Sequence, residues 1–178
     1  EALLPVLHPD QDTAIKLAEG AVGPFSDKFN TALNNGFAAK LGIPVDPAFM
    51  QEMFKLMADQ GCDFTLFFTA LTRIAKGGPE DAFTALFVDP MEAQLWLGKW
   101  RKLHDPVLLP AMEAANPVFI PRNHRVEEAI QSALAGNFTP FQTLVSVVTN
   151  PYEPQPDHAE YESAPTPDQI VQQTFCGT

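Results

Sequence analysis

The sequence predicts an all-α fold: a bundle of about seven to nine amphipathic helices with a proline-rich extended C-terminal tail. Three observations carry that expectation. Capping residues precede proline at Asp46-Pro47, Asp89-Pro90 and Thr139-Pro140, where a proline at the first helical position needs no hydrogen-bond donor. Behind each pair, apolar residues recur at helical spacing, and no segment alternates apolar and polar residues as a half-buried strand would.

Taken in order, a helix over Asp12 to Ala21 turns Ala14, Leu17 and Ala18 inward. Ser26 to Leu41 does the same with Phe29, Leu33 and Phe37. Behind Asp46-Pro47 come Phe49, Met50, Met53, Phe54 and Met57. Asp63, an N-cap, opens a helix to Lys76 with Phe67, Ala70, Leu71 and Ile74 on its apolar face. A short helix over Glu80 to Phe87 leads to the Asp89-Pro90 helix, with Leu95, Trp96, Trp100 and Leu103. Arg122 to Ala135, stopped by Gly136, precedes the Thr139-Pro140 helix with Phe141, Leu144, Val145 and Val148. Gly42, Gly61 and Gly77 stand where C-terminal caps belong, positions that favour left-handed backbone.

From Pro151 the composition changes. Prolines at 151, 154, 156, 165 and 167 exclude regular helix and sheet over most of the segment. Residues 1–150 are therefore read as a helical domain and 151–178 as an acidic tail, with one turn of helix expected near Asp168 to Gln172. Tyr152, Tyr161 and Phe175 are candidates to pin the tail to a surface.

The 178 residues fit one domain and suffice for a real core,. Eleven Lys+Arg against 22 Asp+Glu give a formal charge of -11, which repels nucleic-acid phosphates and anionic lipid. Neither nucleic acid nor membrane is expected as a partner. No apolar run approaches the roughly 20 residues that span a bilayer, and no signal peptide opens the chain, so a soluble intracellular protein is the expectation. The chain starts at Glu1 without an initiator methionine, so it is expected to be part of a longer protein, although N-terminal processing would look the same.

The chemical motifs are sparse. "DFT" at Asp63 to Thr65 and "HRV" at His124 to Val126 look like kinase signatures, but Thr65 lacks glycine's freedom, Val126 cannot accept a proton, and the two occur in reverse order. No GxxxxGK[ST] or GxGxxG loop cradles phosphate. His8, His104, His124 and His158 fall in separate segments, and Cys62 and Cys176 lack CxxC spacing, so no metal is expected. No catalytic or cofactor-binding residue is expected in this chain. Cys176, beside Gly177 near the C-terminus, is the redox candidate. A self-contained thiol activity ranks last among the readings, because nothing nearby would lower its pKa. A methionine-rich face of Met50, Met53, Phe54 and Met57 offers another reading, a docking groove in a protein-interaction module without enzymatic role.

One stretch is electrostatically odd. In "NPVFIPRNHRVEEAI", Asn116 to Ile130, the cations Arg122 and Arg125 and the imidazole of His124 crowd a helix N-terminus, where the macrodipole disfavours positive charge. Either they pair with nearby carboxylates and stitch this helix to the tail or another helix, or they brace a surface elsewhere.

That stretch, with "NFTPFQTLVSVVTNPYEPQPDHAEYESAPTPDQIVQQTFCGT", resembles the C-terminal part of the selenoprotein O family in its cysteine-containing form, and the earlier "AIKLAEGAVGPFSDKFNTALNNGFAAKLGI" and "MADQGCDFTLFFTAL" resemble the helical region preceding it. The resemblance covers essentially the whole chain. It implies a larger kinase-like protein that uses ATP and a divalent metal, Mg, to transfer AMP to Ser, Thr or Tyr hydroxyls of target proteins. The nucleotide- and metal-holding residues would lie upstream of Glu1, leaving this piece inactive alone. The resemblance further implies redox control by Cys176, paired with a cysteine in the kinase-like part. It also favours Arg122, His124 and Arg125 as an inter-domain brace to that part. A bacterial member would be cytoplasmic and a eukaryotic one mitochondrial.

Overall fold

The computed structural model describes residues 3–172. Among them are ten α-helices and no strand: α1 Leu4–Leu7, α2 Gln11–Val22, α3 Phe25–Leu41, α4 Pro47–Gln60, α5 Phe64–Ala75, α6 Asp81–Thr84, α7 Pro90–Leu103, α8 Leu109–Ala115, α9 Asn123–Leu134 and α10 Thr139–Val148. The proline-rich segment carries 3-10 turns at Pro156–Tyr161 and Pro167–Gln169.

The expected caps at three helices are in place. Asp46, Asp63 and Asp89 accept from Phe49 N, Leu66 N and Met91 N at the starts of α4, α5 and α7, each satisfying an orphan donor of a first turn. Gly42 and Gly61 close α3 and α4 in left-handed conformation. Thr139 differs from expectation: it lies inside α10, and the Asn137 side chain accepts from its N–H at 3.1 Å. Two helices lie outside the expected set, α1 and α8, the latter continuing a 3-10 turn capped by Asp105.

The core is built around α5, whose Phe67, Phe68 and Leu71 are buried. Phe67 lies 5.2 Å from both Phe83 of α6 and Trp96 of α7, ring centre to ring centre. Phe49 of α4 stacks on Trp96 at 5.0 Å. Offset and edge contacts of this kind add to the area that aromatic rings bury. Trp100 Nε1 donates to Leu41 O at 2.8 Å, joining α7 to the end of α3.

Met50, Met53 and Met57 are buried in this core and Phe54 packs against it, so the expected methionine docking groove does not exist. The apolar faces of other helices depart from expectation in the opposite sense. Leu17, Phe29, Leu33, Leu95, Phe141 and Val145 are all exposed. Periodicity identifies the apolar side of a helix, and only the remaining elements decide whether anything covers it.

Candidate functional site

Arg122 is the N-cap residue of α9, with extended backbone and no side-chain cap of its own. Its side chain is buried. There it meets Asp63, which caps α5: Nη1 donates to Oδ2 at 2.8 Å and Nη2 to Oδ1 at 3.3 Å. Asp63 thus accepts from a guanidinium and from the Leu66 N–H together. Burial works against its ionisation, but the Arg122 hydrogen bond, the Leu66 N–H and the Arg122 charge hold its carboxyl below the ordinary value. A paired fork of this kind is shorter and stronger than a neutral hydrogen bond.

Arg125, one turn further along α9, faces the C-terminal segment. Nη1 donates to Glu128 Oε2 at 2.8 Å and Nη2 to Glu160 O at 2.9 Å. Its guanidinium also sits 5.2 Å from the centre of the Tyr161 ring, an arrangement that uses the ring's negative face. Arg73 of α5 reaches the same segment through Glu162 at 2.7 Å. Pro151 O accepts from Val118 N and Phe119 N at 2.7 and 3.1 Å, fastening the start of that segment to the strip before α9.

His124 is only 7% exposed, between the two arginines in sequence. Burial pushes its imidazole below the ordinary value, and the charges of Arg125 and Arg122 add to the effect. Its neutral form is favoured, which removes one of three positive charges from the helix start. A groove of about 870 Å³ runs between α9 and residues 168–172, with His124, Glu127, Gln131, Asp168 and Ile170 on its walls.

Asn116 and Lys40 form a second polar joint that sequence reasoning missed. Buried Asn116 donates from Nδ2 to Lys40 O at 2.8 Å and to Thr72 Oγ1 at 2.9 Å. Lys40 Nζ donates to Ala115 O at 2.7 Å and lies 5.0 Å from the Phe68 ring centre. Burial holds the Lys40 amine below its ordinary value. The joint ties α3, α5 and α8 together beneath a cleft of about 390 Å³. Its only sequence signal is a lysine one residue before the buried end of an apolar helix face.

Among the described residues the arrangement offers no set of reacting groups, and no three His, Cys, Asp or Glu side chains come together as a metal site. Burial, with Asp63 adding to it, pushes the Cys62 thiol up to about 12, far from a nucleophile at neutral pH. Cys176 lies outside the described residues. No described helix is long and apolar enough to cross a membrane.

The chain is similar from end to end to bacterial proteins named protein nucleotidyltransferase YdiU. It is 40% identical over 189 residues to the one from Rhodopseudomonas palustris and 41% identical over 189 residues to that of Nitrobacter hamburgensis. With the Mycobacterium sp. strain KMS protein it shares 42% over 184 residues. In each case all of this chain aligns, against 38%, 37% and 37% of the relative. The chain therefore spans less than two fifths of these relatives' length. No family model matches it.

Proposed function

We propose that this chain is the C-terminal helical region of a selenoprotein O-type protein adenylyltransferase. In this reading a kinase-like part outside the chain binds ATP and Mg and transfers AMP to Ser, Thr or Tyr hydroxyls of target proteins. The observation that carries it is the end-to-end similarity, at 40–42% identity, to proteins named as protein nucleotidyltransferases. A fused Asp63–Arg122 joint and a core without a phosphate loop suit a supporting region rather than a catalytic one.

The contacts of Arg122 and Arg125 support a bracing role for the Arg122, His124 and Arg125 cluster. Arg122 holds α9 to α5, and Arg125 holds it to the C-terminal segment at Glu160. In the proposal this bracing presents the tail, with Cys176, to the kinase-like part. A disulfide from Cys176 to a cysteine there would restrain the tail by about 2–4 kcal/mol and make the enzyme redox-sensitive. A bacterial member works in the cytoplasm, a eukaryotic one in mitochondria.

Calorimetry with ATP and Mg tests the division of labour. The complete open reading frame binds nucleotide and this chain does not. Saturable nucleotide binding by the chain alone contradicts the assignment.

A further inference from the structure

Helices α2 and α3 form one bent rod rather than a packed hairpin. The two residues between them, Gly23 and Pro24, both keep right-handed helical backbone. Lys28 N donates to Pro24 O and Gly23 N to Glu19 O, so helical bonding continues on both sides of the bend. The far end of α3 enters the core, where Ala38 and Leu41 are buried and the Phe37 ring lies 4.8 Å from that of Phe54. The near end does not. Ala14 is the only buried residue of α2, whose principal contact is the four-residue α1.

Along this rod Phe25, Phe29, Leu33 and Phe37 stand at steps of four residues. Phe25 is 66% exposed, Phe29 53% and Leu33 39%, with the first two rings stacked 6.0 Å apart. Such a row is a ridge of the kind that seats in the groove of another helix. Contiguous apolar patches on a lone domain mark an interaction surface.

We infer that the Phe25–Phe29–Leu33 ridge of α3 is the seat on which this chain docks a helix of the remainder of its own polypeptide. The inference rests on the reading above, that the chain is part of a longer protein. The relatives' uncovered length, more than three fifths of each, supplies the occupant. In that reading the docked helix belongs to the same polypeptide, so docking is intramolecular at high effective concentration. A second copy would have to compete at its own bulk concentration. The ridge runs without interruption into the core at Phe37, so the docked helix would extend this core rather than form a separate one.

Two measurements on the complete open reading frame test this. With Phe29→p-benzoylphenylalanine, irradiation is expected to link position 29 to peptides of the same polypeptide outside the present 178 residues. Links to a second copy, identified by mixing isotope-labelled and unlabelled protein, or no links, overturn it. With Phe29→Lys, amides of residues 25–33 should exchange at least about tenfold faster while those of Phe67 to Thr72 stay unchanged. Unchanged exchange in the rod also overturns it. AMP transfer by the same preparations separates the two claims: intramolecular links without transfer leave the docking ridge and remove the adenylyltransferase reading, and transfer without such links does the reverse.

Discussion

The guanidinium of Arg122, at the start of α9, grips both carboxylate oxygens of Asp63, which caps α5, at 2.8 and 3.3 Å. Two helix N-termini are thereby fastened by one ion pair. It accounts for a cation where the helix dipole disfavours it: the positive charge meets a carboxylate that itself serves the neighbouring helix. The Arg122 side chain is 5% exposed and that of Asp63 25%, so the guanidinium is buried while the carboxylate keeps some contact with solvent.

Arg122→Met should cost about 2–3 kcal/mol in urea unfolding, at and just below the lower end of the range for breaking a buried pair, because Asp63 keeps some solvent. Asp63→Asn keeps an N-cap acceptor but leaves the more deeply buried Arg122 charge unpaired, so it should cost a comparable amount. A loss below about 0.5 kcal/mol from either variant would contradict the pairing account.

The same pair gives an acid dependence. The folded state holds the Asp63 carboxyl below its ordinary value, so its contribution is complete above the ordinary carboxylate range near pH 4 and is lost as pH falls through the depressed folded value. A stability-against-pH series should show this loss at the acid end in the parent and its absence in Asp63→Asn.

His124 gives a dependence nearer neutrality. Its folded pKa is lowered by burial, then by Arg125 and Arg122, so below about pH 6.5 the unfolded chain takes up a proton that the folded one resists. Stability should be full above that value and decline as pH drops from it toward the folded pKa. His124→Gln should flatten that slope, and an unchanged slope would contradict the assignment.

How much of this was legible in the sequence varied with the physics. α4, α5 and α7 were readable because aspartate caps and apolar spacing are local, and both sit within a few residues of each other. The Arg122–Asp63 pair was not, since its members are 59 residues apart and each already had a local explanation. Lys40 and Asn116 are 76 apart and carry no motif. Exposure of Phe29 and Leu33 was equally hidden, because an apolar stripe looks the same whether or not another element covers it. α8 is hard to read because it is only seven residues long and buries one side chain, Met112, although Asp105-Pro106 stands ahead of it.

Gly42 and Gly61 separate backbone strain from crowding. Both have positive φ, 61° and 63°, but a Cβ on Gly42 would run into Met112, with Cγ at 2.8 Å, while Gly61 faces open space. Gly61→Ala should cost about 1 kcal/mol, the left-handed penalty alone. Gly42→Ala should cost about 3 kcal/mol, since a packed core must also shift. Thermal denaturation of the two variants side by side measures the difference.

The most direct test of the central claim is label transfer from ATP carrying a labelled α-phosphate to protein. Three preparations are compared, under reducing and oxidising conditions: this chain, the complete open reading frame, and that frame truncated before Glu1. The account predicts label with the complete frame, none with this chain, and reduced or redox-insensitive label with the truncated frame. Absence of label from all three under both conditions would contradict it.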